Sequence, residues 1–191
     1  MNVGNAEQSI LALYSSAASR ELYDEQVTEL EHAMQAALLA DGAGAPPELV
    51  AAALLHDIGH LVVHDLVPIE QMLVEDAHHE DVGARYLRRW FGPAVAAPVA
   101  LHVAAKRYLC ATDESYYATL SPSSVRSLAV QGGPMSEAEA KRFRSNARWR
   151  DAVALRIWDD EAKIADMNLP EFEEWLPLIG HVSMTFPAPM V

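Results

Sequence analysis

Between Glu48 and Ile58 the chain is apolar on almost every side, Leu49-Val50-Ala51-Ala52-Ala53-Leu54-Leu55, and it runs straight into His56-Asp57. A helix without a polar face has nothing to show to water, so it belongs at the centre with other elements packed round it. The rest of the chain offers those elements as helices. Apolar residues recur with a helical period nearly everywhere, and no segment alternates as a half-buried strand does. The expected fold class is therefore all-α, a helical bundle forming one domain over residues 1–191.

The helix ends can be read from local signals. A first helix is expected over about 7–20. The capping box Thr28-x-x-Glu31 opens a second, with Leu30, Ala33, Met34, Ala37 and Leu38 on one stripe, and Asp41-Gly42-Ala43-Gly44 closes it. Pro46-Pro47 opens the central helix, where a missing N–H is harmless, and that helix should run to about Ile58. An irregular stretch containing Pro68 is expected from Gly59 to about Ala77. Helices should follow over about 78–91, 94–110, 113–119, 121–130, 136–146, 148–165 and 170–180, with a loose tail at Phe186-Pro187-Ala188-Pro189. The loop Gln131-Gly132-Gly133-Pro134-Met135 reads equally as a plain turn or as backbone brought close to a ligand.

Charge and composition narrow the function. A formal net charge of −13 argues against a nucleic-acid partner, which needs a basic face. Arg85, Arg88 and Arg89 have helical spacing and read as a solvated face. No apolar run approaches the roughly 20 residues of a membrane helix, so no membrane partner is expected. Cys110 is the single cysteine, and the first residues lack the basic-then-apolar layout of a signal peptide; both fit a cytoplasmic protein.

The histidines carry the chemistry. His56 and Asp57 sit side by side at the end of the most apolar segment, where a buried carboxylate is costly unless a cation compensates it. From this run alone a solvated His-Asp pair at a helix end also fits. His32 lies beside the apolar stripe of the second helix, His79 opens the fourth, and His102 sits between Leu101 and Val103 in the fifth. Each alone reads as a hydrogen-bonded core histidine. Together with Asp159 they give the order His…His-Asp…His…His…Asp, and four imidazoles with two carboxylates can serve two metals when one carboxylate bridges. Mixed N/O donors without thiolate suit iron, manganese, zinc or magnesium. Lys106 lies four residues after His102 and His60 four after His56, so each can share a helical face with a candidate ligand. A lysine one turn from a metal is placed to hold an anionic oxygen as a point charge.

The spaced set resembles the HD-domain superfamily, and further segments resemble its phosphonate-degrading oxygenases, the PhnZ family. They are Leu30-Glu31-His32-Ala33, the run from Leu54 to Leu61, His79-Glu80-Asp81-Val82-Gly83-Ala84, His102 to Leu109, Leu128 to Met135, and Trp158-Asp159-Asp160-Glu161-Ala162-Lys163. They spread over about 28–165, the expected metal-binding core. The resemblance implies an HD-domain bundle around a dinuclear centre of two irons bridged by Asp57. His32, His56 and Asp159 would complete one iron, and His79 and His102 the other. Of the neighbours His78 and His79, the second matches, because Glu80-Asp81-Val82-Gly83 follows it. The resemblance places His60, Lys106, Ser124 and Gln131 at the substrate, and both Ser124 and Gln131 can donate hydrogen bonds. Arg156, three residues before Asp159, reads as support for that ligand. The family also keeps a Tyr and a Glu, three apart, that gate the site and approach the substrate's amine. Here Leu22-Tyr23-Asp24-Glu25-Gln26 sets Tyr23 and Glu25 two apart, so without a gap they do not both take those places.

What the resemblance implies is an oxygenase that cleaves the C–P bond of a 1-hydroxyalkylphosphonate, the 2-amino or 2-trimethylammonio compound. The cofactor would be a mixed-valence Fe(II)/Fe(III) pair, with O2 as co-substrate. Phosphate and a carboxylate would be the products. The rival enzyme class is an HD phosphohydrolase, whose metal-bound hydroxide attacks a phosphate ester. Lys106 and the Gln131-to-Met135 loop argue against it. A metal-stabilised sensor without catalysis is the third reading.

Overall fold

The computed structural model of the protein describes residues 5–22, 26–64 and 78–184, apart from the side chains of His64 and Met184, and among these the regular structure is helical. In chain order come α1 (Ala6–Tyr14), α2 (Glu29–Gly42), α3 (Pro47–Leu54), α4 (Ile58–His64), α5 (His79–Leu87) and α6 (Pro93–Thr112). Then follow α7 (Glu114–Tyr117), α8 (Pro122–Val130), α9 (Glu137–Arg144), α10 (Trp149–Glu161) and α11 (Leu176–Met184). Two 3-10 turns, Ala18–Arg20 and Phe172–Trp175, complete the described elements, and Leu22 and Thr28 form an isolated β-bridge.

Local signals set the starts. Thr28 Oγ1 accepts from Glu31 N at 3.2 Å while Glu31 Oε2 accepts from Thr28 N at 2.8 Å, the reciprocal pair of a capping box. Ser136 and Glu139 repeat the device at α9. The apolar α3 is buried from Leu49 through Leu54 and packs against α2, α6, α10 and α11, so it holds the centre of the bundle.

Several expected boundaries move: α10 ends at Glu161, and the last helix runs Leu176–Met184 behind the 3-10 turn Phe172–Trp175. The first helix stops at Tyr14, and Ala18–Arg20 turns as 3-10. The central helix ends at Leu54 instead of Ile58, because side chains take its last carbonyls. His56 Nδ1 donates to Ala53 O at 2.8 Å and the Tyr14 hydroxyl donates to Leu54 O at 2.9 Å. The chain then restarts as α4 at Ile58, where an irregular stretch was expected from Gly59. His56 and His60 consequently stand on different elements and share no helical face. The rest of the expected irregular stretch and the tail at 186–189 lie outside the described residues.

Two glycines let α4 meet the start of α5. A Cβ on Gly59 would sit 2.0 Å from His79 O, and one on Gly83 3.1 Å from Gly59 N. Farther along, Gly132 (φ +94) and Gly133 (φ +68) turn the chain after α8 in the left-handed region. Arg107 braces that turn, donating from Nε to Gly133 O at 2.8 Å and accepting at its carbonyl from Met135 N at 3.1 Å. Arg89 lies over Tyr86, 4.6 Å from the ring centre, and stays exposed as the basic stripe was expected to be.

Candidate metal centre

Five separate segments converge on one buried point. His32 comes from α2, His56 and Asp57 from the turn after α3, His79 from the first position of α5, His102 from the middle of α6, and Asp159 from α10. His32, His56 and Asp159 are fully buried, His102 and Asp57 nearly so. Asp57 divides the cluster. Its Oδ2 lies 3.3 Å from His56 Nε2 and 3.8 Å from His32 Nε2; its Oδ1 lies 3.4 Å from both His79 Nε2 and His102 Nε2. Asp159 joins the first half, with Oδ1 3.4 Å from His32 Nε2 and Oδ2 3.7 Å from His56 Nε2.

The proton positions follow from the outer partners. His32 Nδ1 meets Ala162 O at 2.8 Å, His56 Nδ1 meets Ala53 O at 2.8 Å, and His102 Nδ1 meets Val99 O at 2.7 Å. A carbonyl oxygen can only accept, so each of these Nδ1 atoms carries a proton and each ring turns Nε2 inward. Those inward atoms crowd together: His32 and His56 Nε2 are 3.1 Å apart, as are His79 and His102 Nε2. Both oxygens of Asp57 and Oδ1 of Asp159 are buried without a hydrogen-bond donor. Carboxylate oxygens and ring nitrogens crowded in a dry interior call for positive charge among them, so the donor set fits divalent ions. Within this cluster two groups could each hold one: His32, His56 and Asp57, and Asp57, His79 and His102, the ligand atoms of each within 4.8 Å of one another.

The electrostatics shows the same demand for positive charge: burial lowers His56, but Asp57 and Asp159 outweigh it and raise the imidazole to about 9. Burial alone would raise the Asp57 carboxyl; His56 and the other imidazoles reverse this and hold it well below the usual carboxylate range. For Asp159 burial is likewise opposed, chiefly by Arg156, whose Nη1 stands 2.7 Å from Oδ2. Arg156 also pairs with Asp160, and Tyr116 donates its hydroxyl to the same carboxylate. That chain fixes Arg156 behind Asp159.

A second set of polar groups comes from α6, α8 and the segments after α8 and α10. Lys106 is 3% exposed and donates to Ser127 Oγ at 2.7 Å. Burial, with Arg156 nearby, lowers its ammonium to about 8. Ser124 Oγ accepts from Lys163 Nζ at 3.3 Å, and Gln131 keeps a buried Oε1 without a donor. His60 stacks on His79 at 4.1 Å between ring centres; burial, then His79, pushes it down to about 3, so it is neutral. His78 is exposed and adopts a left-handed backbone, leaving His79 to enter the site. Tyr23 and Glu25 lie outside the described residues.

The sequence reading missed Ser127, Lys163, Asp160 and Tyr116. Lys163 follows Asp159 by four residues, as Lys106 follows His102, so its signal was present. Ser127, three residues after Ser124, shares its helix face. Tyr116 left no trace, because only tertiary packing brings α7 to α10.

The HD domain family model matches residues 30–126. The chain is 47% identical over 156 residues to the hydroxymethylphosphonate dioxygenase of Gimesia maris, covering 82% of this chain and 78% of that protein. It is 37% identical over 179 residues to a [1-hydroxy-2-(trimethylamino)ethyl]phosphonate dioxygenase (glycine-betaine-forming) of Leisingera caerulea, covering 94% of this chain and 91% of that one.

Proposed function

Since the chain belongs to the HD-domain family, we propose that it is a dioxygenase cleaving the C–P bond of a 1-hydroxyalkylphosphonate with O2, yielding phosphate and a carboxylate. Its relatives' substrates share the 1-hydroxyphosphonate unit and differ beyond C1. The reaction balances without a further reductant: hydroxymethylphosphonate plus O2 gives formate plus phosphate. The C–P bond breaks, C1 rises to the carboxyl level, and both oxygen atoms of O2 are kept.

The observation that carries the reading is Asp57, one oxygen toward each half of the cluster. In the proposed assignment Asp57 would be shared by two irons of mixed valence. His32, His56 and Asp159 would hold one, and His79 and His102 the other. A bound iron pair supplies Lewis acidity toward the C1 hydroxyl and a phosphonate oxygen, and the electrons that O2 activation takes. The second half draws on fewer protein groups, leaving room for substrate there.

The chain's own residues position the rest. The Lys106 ammonium, steered by Ser127, holds the phosphonate, and Ser124 and Gln131 hydrogen-bond to it. His60, neutral and stacked on His79, faces the substrate as a hydrogen-bonding partner at C1. Among the described residues no helix is long and apolar enough to cross a membrane.

The test is phosphate release from hydroxymethylphosphonate and from its 2-amino and 2-trimethylammonio homologues, with iron, in air and under anaerobic conditions. Release that needs O2 and yields the matching carboxylate is expected. Equal anaerobic release from a phosphate monoester would replace this reading with a hydrolase.

A further inference from the structure

Three of the four imidazoles are oriented by main chain: Nδ1 of His32, His56 and His102 each meets a backbone carbonyl within 2.8 Å. His79 differs. Its Nδ1 faces Glu80 Oε2 at 3.6 Å, and its ring is stacked on His60. Among the described residues, side chains hold this ring.

Glu80 itself needs an explanation. It is 8% exposed, and Oε2 is buried without a hydrogen-bond donor. Placement in the first turn of α5 favours a negative charge there, but a carboxylate serving only the helix dipole can stay in water. A buried one with an open acceptor atom beside a ring N–H is placed for that N–H. The present gap exceeds a hydrogen bond by about 0.5 Å. A cation drawing on Nε2 makes Nδ1–H a stronger donor, which favours closing it.

We propose that Glu80 is the positioning residue of the His79 half of the centre. Its carboxylate accepts the Nδ1 proton of His79, fixes the ring's tautomer and direction, and raises that half's affinity for its ion. Backbone carbonyls do the same more weakly for the other three rings, so Glu80 offsets the sparser ligand set of its half. The inference rests on the two-ion reading above.

The experiment is a Mn(II) titration of metal-free protein, with free Mn(II) followed by electron paramagnetic resonance. The parent is expected to take up two ions per chain. Glu80→Gln keeps the shape but removes the charge; it should bind one ion as the parent does and the other about 10- to 100-fold more weakly. Glu80→Asp, which restores a carboxylate on a shorter arm, should recover part of the loss. That recovery separates charge from packing, which a purely structural residue would not show. Two unchanged steps in Glu80→Gln overturn the proposal alone, as does equal weakening of both. A parent that takes up a single ion overturns the two-ion reading, and the proposal with it.

Discussion

Asp57 stands where the two halves of the cluster meet, with 3.3 Å to His56 on one side and 3.4 Å to His79 and His102 on the other. Removing it takes a ligand from both halves, whereas removing His102 takes one from a single half. Metal analysis of iron-loaded protein should therefore show Asp57→Ala losing both ions and His102→Ala keeping one; equal retention in the two variants would contradict the bridge. Lys106 is a separate case, since it touches Ser127 and no member of the cluster is its hydrogen-bond partner. Lys106→Ala should leave the metals in place and weaken phosphonate binding by about 1.5–3 kcal/mol, on the order of 10- to 150-fold. With its ammonium lowered to about 8, Lys106 is cationic below that pH and neutral above it. Phosphonate affinity, measured by titrating the iron spectrum, should thus fall as pH rises through about 8, and Lys106→Ala should lose that limb of the profile.

At the scale of elements, the approach of α4 to α5 decides whether His79 reaches Asp57. Gly59 makes that approach possible, because a Cβ there would meet the His79 carbonyl at 2.0 Å, and backbone cannot swing aside as a side chain can. Gly59→Ala should cost about 1–3 kcal/mol as overpacking and should also weaken the His79 half for its ion. Gly42 gives the contrast: a Cβ there meets nothing within 4 Å, and Gly42→Ala should be neutral or slightly stabilising. Thermal melts of the two variants check both, and similar melting points would mean the packing at Gly59 can yield. The break between α3 and α4 belongs to this scale too. Tyr14 and His56 occupy the carbonyls of Leu54 and Ala53, so the helix ends where a side chain from α1 reaches it.

Across the whole molecule the cluster joins α2, the α3–α4 turn, α5, α6 and α10, so a bound cation ties together helices far apart in the chain. Ion binding to the folded state alone stabilises it by mass action, about 2.7 kcal/mol for each site at a hundredfold excess over Kd. For a chain of this size that corresponds to roughly 5–11 °C in Tm per site. Chelation should lower the melting point by such an amount and metal return should restore it. A melting point indifferent to chelator would show that these residues do not bind an ion tightly.

Much of this was legible in one dimension. Capping boxes at Thr28 and Ser136, prolines at helix starts and the all-round apolar α3 are local or periodic properties, so the helical class follows from residues close in sequence. The six members of the cluster were legible as a spaced His and Asp pattern: His32, His56, Asp57 and His102 lie within or beside apolar stretches, while His79 and Asp159 stand among charged neighbours and were picked out by the family resemblance. Tertiary structure alone decided how they divide: which oxygen of Asp57 faces which imidazoles, which main-chain carbonyl fixes His32, His56 and His102, and that Glu80 stands beside His79 Nδ1. It also decided the end of α3, through a hydroxyl forty residues away. The physical reason is reach. Helix periodicity and capping act over about four residues, whereas hydrogen bonds and ion contacts act over about three ångströms of space, and only the packed chain says which residues those three ångströms join.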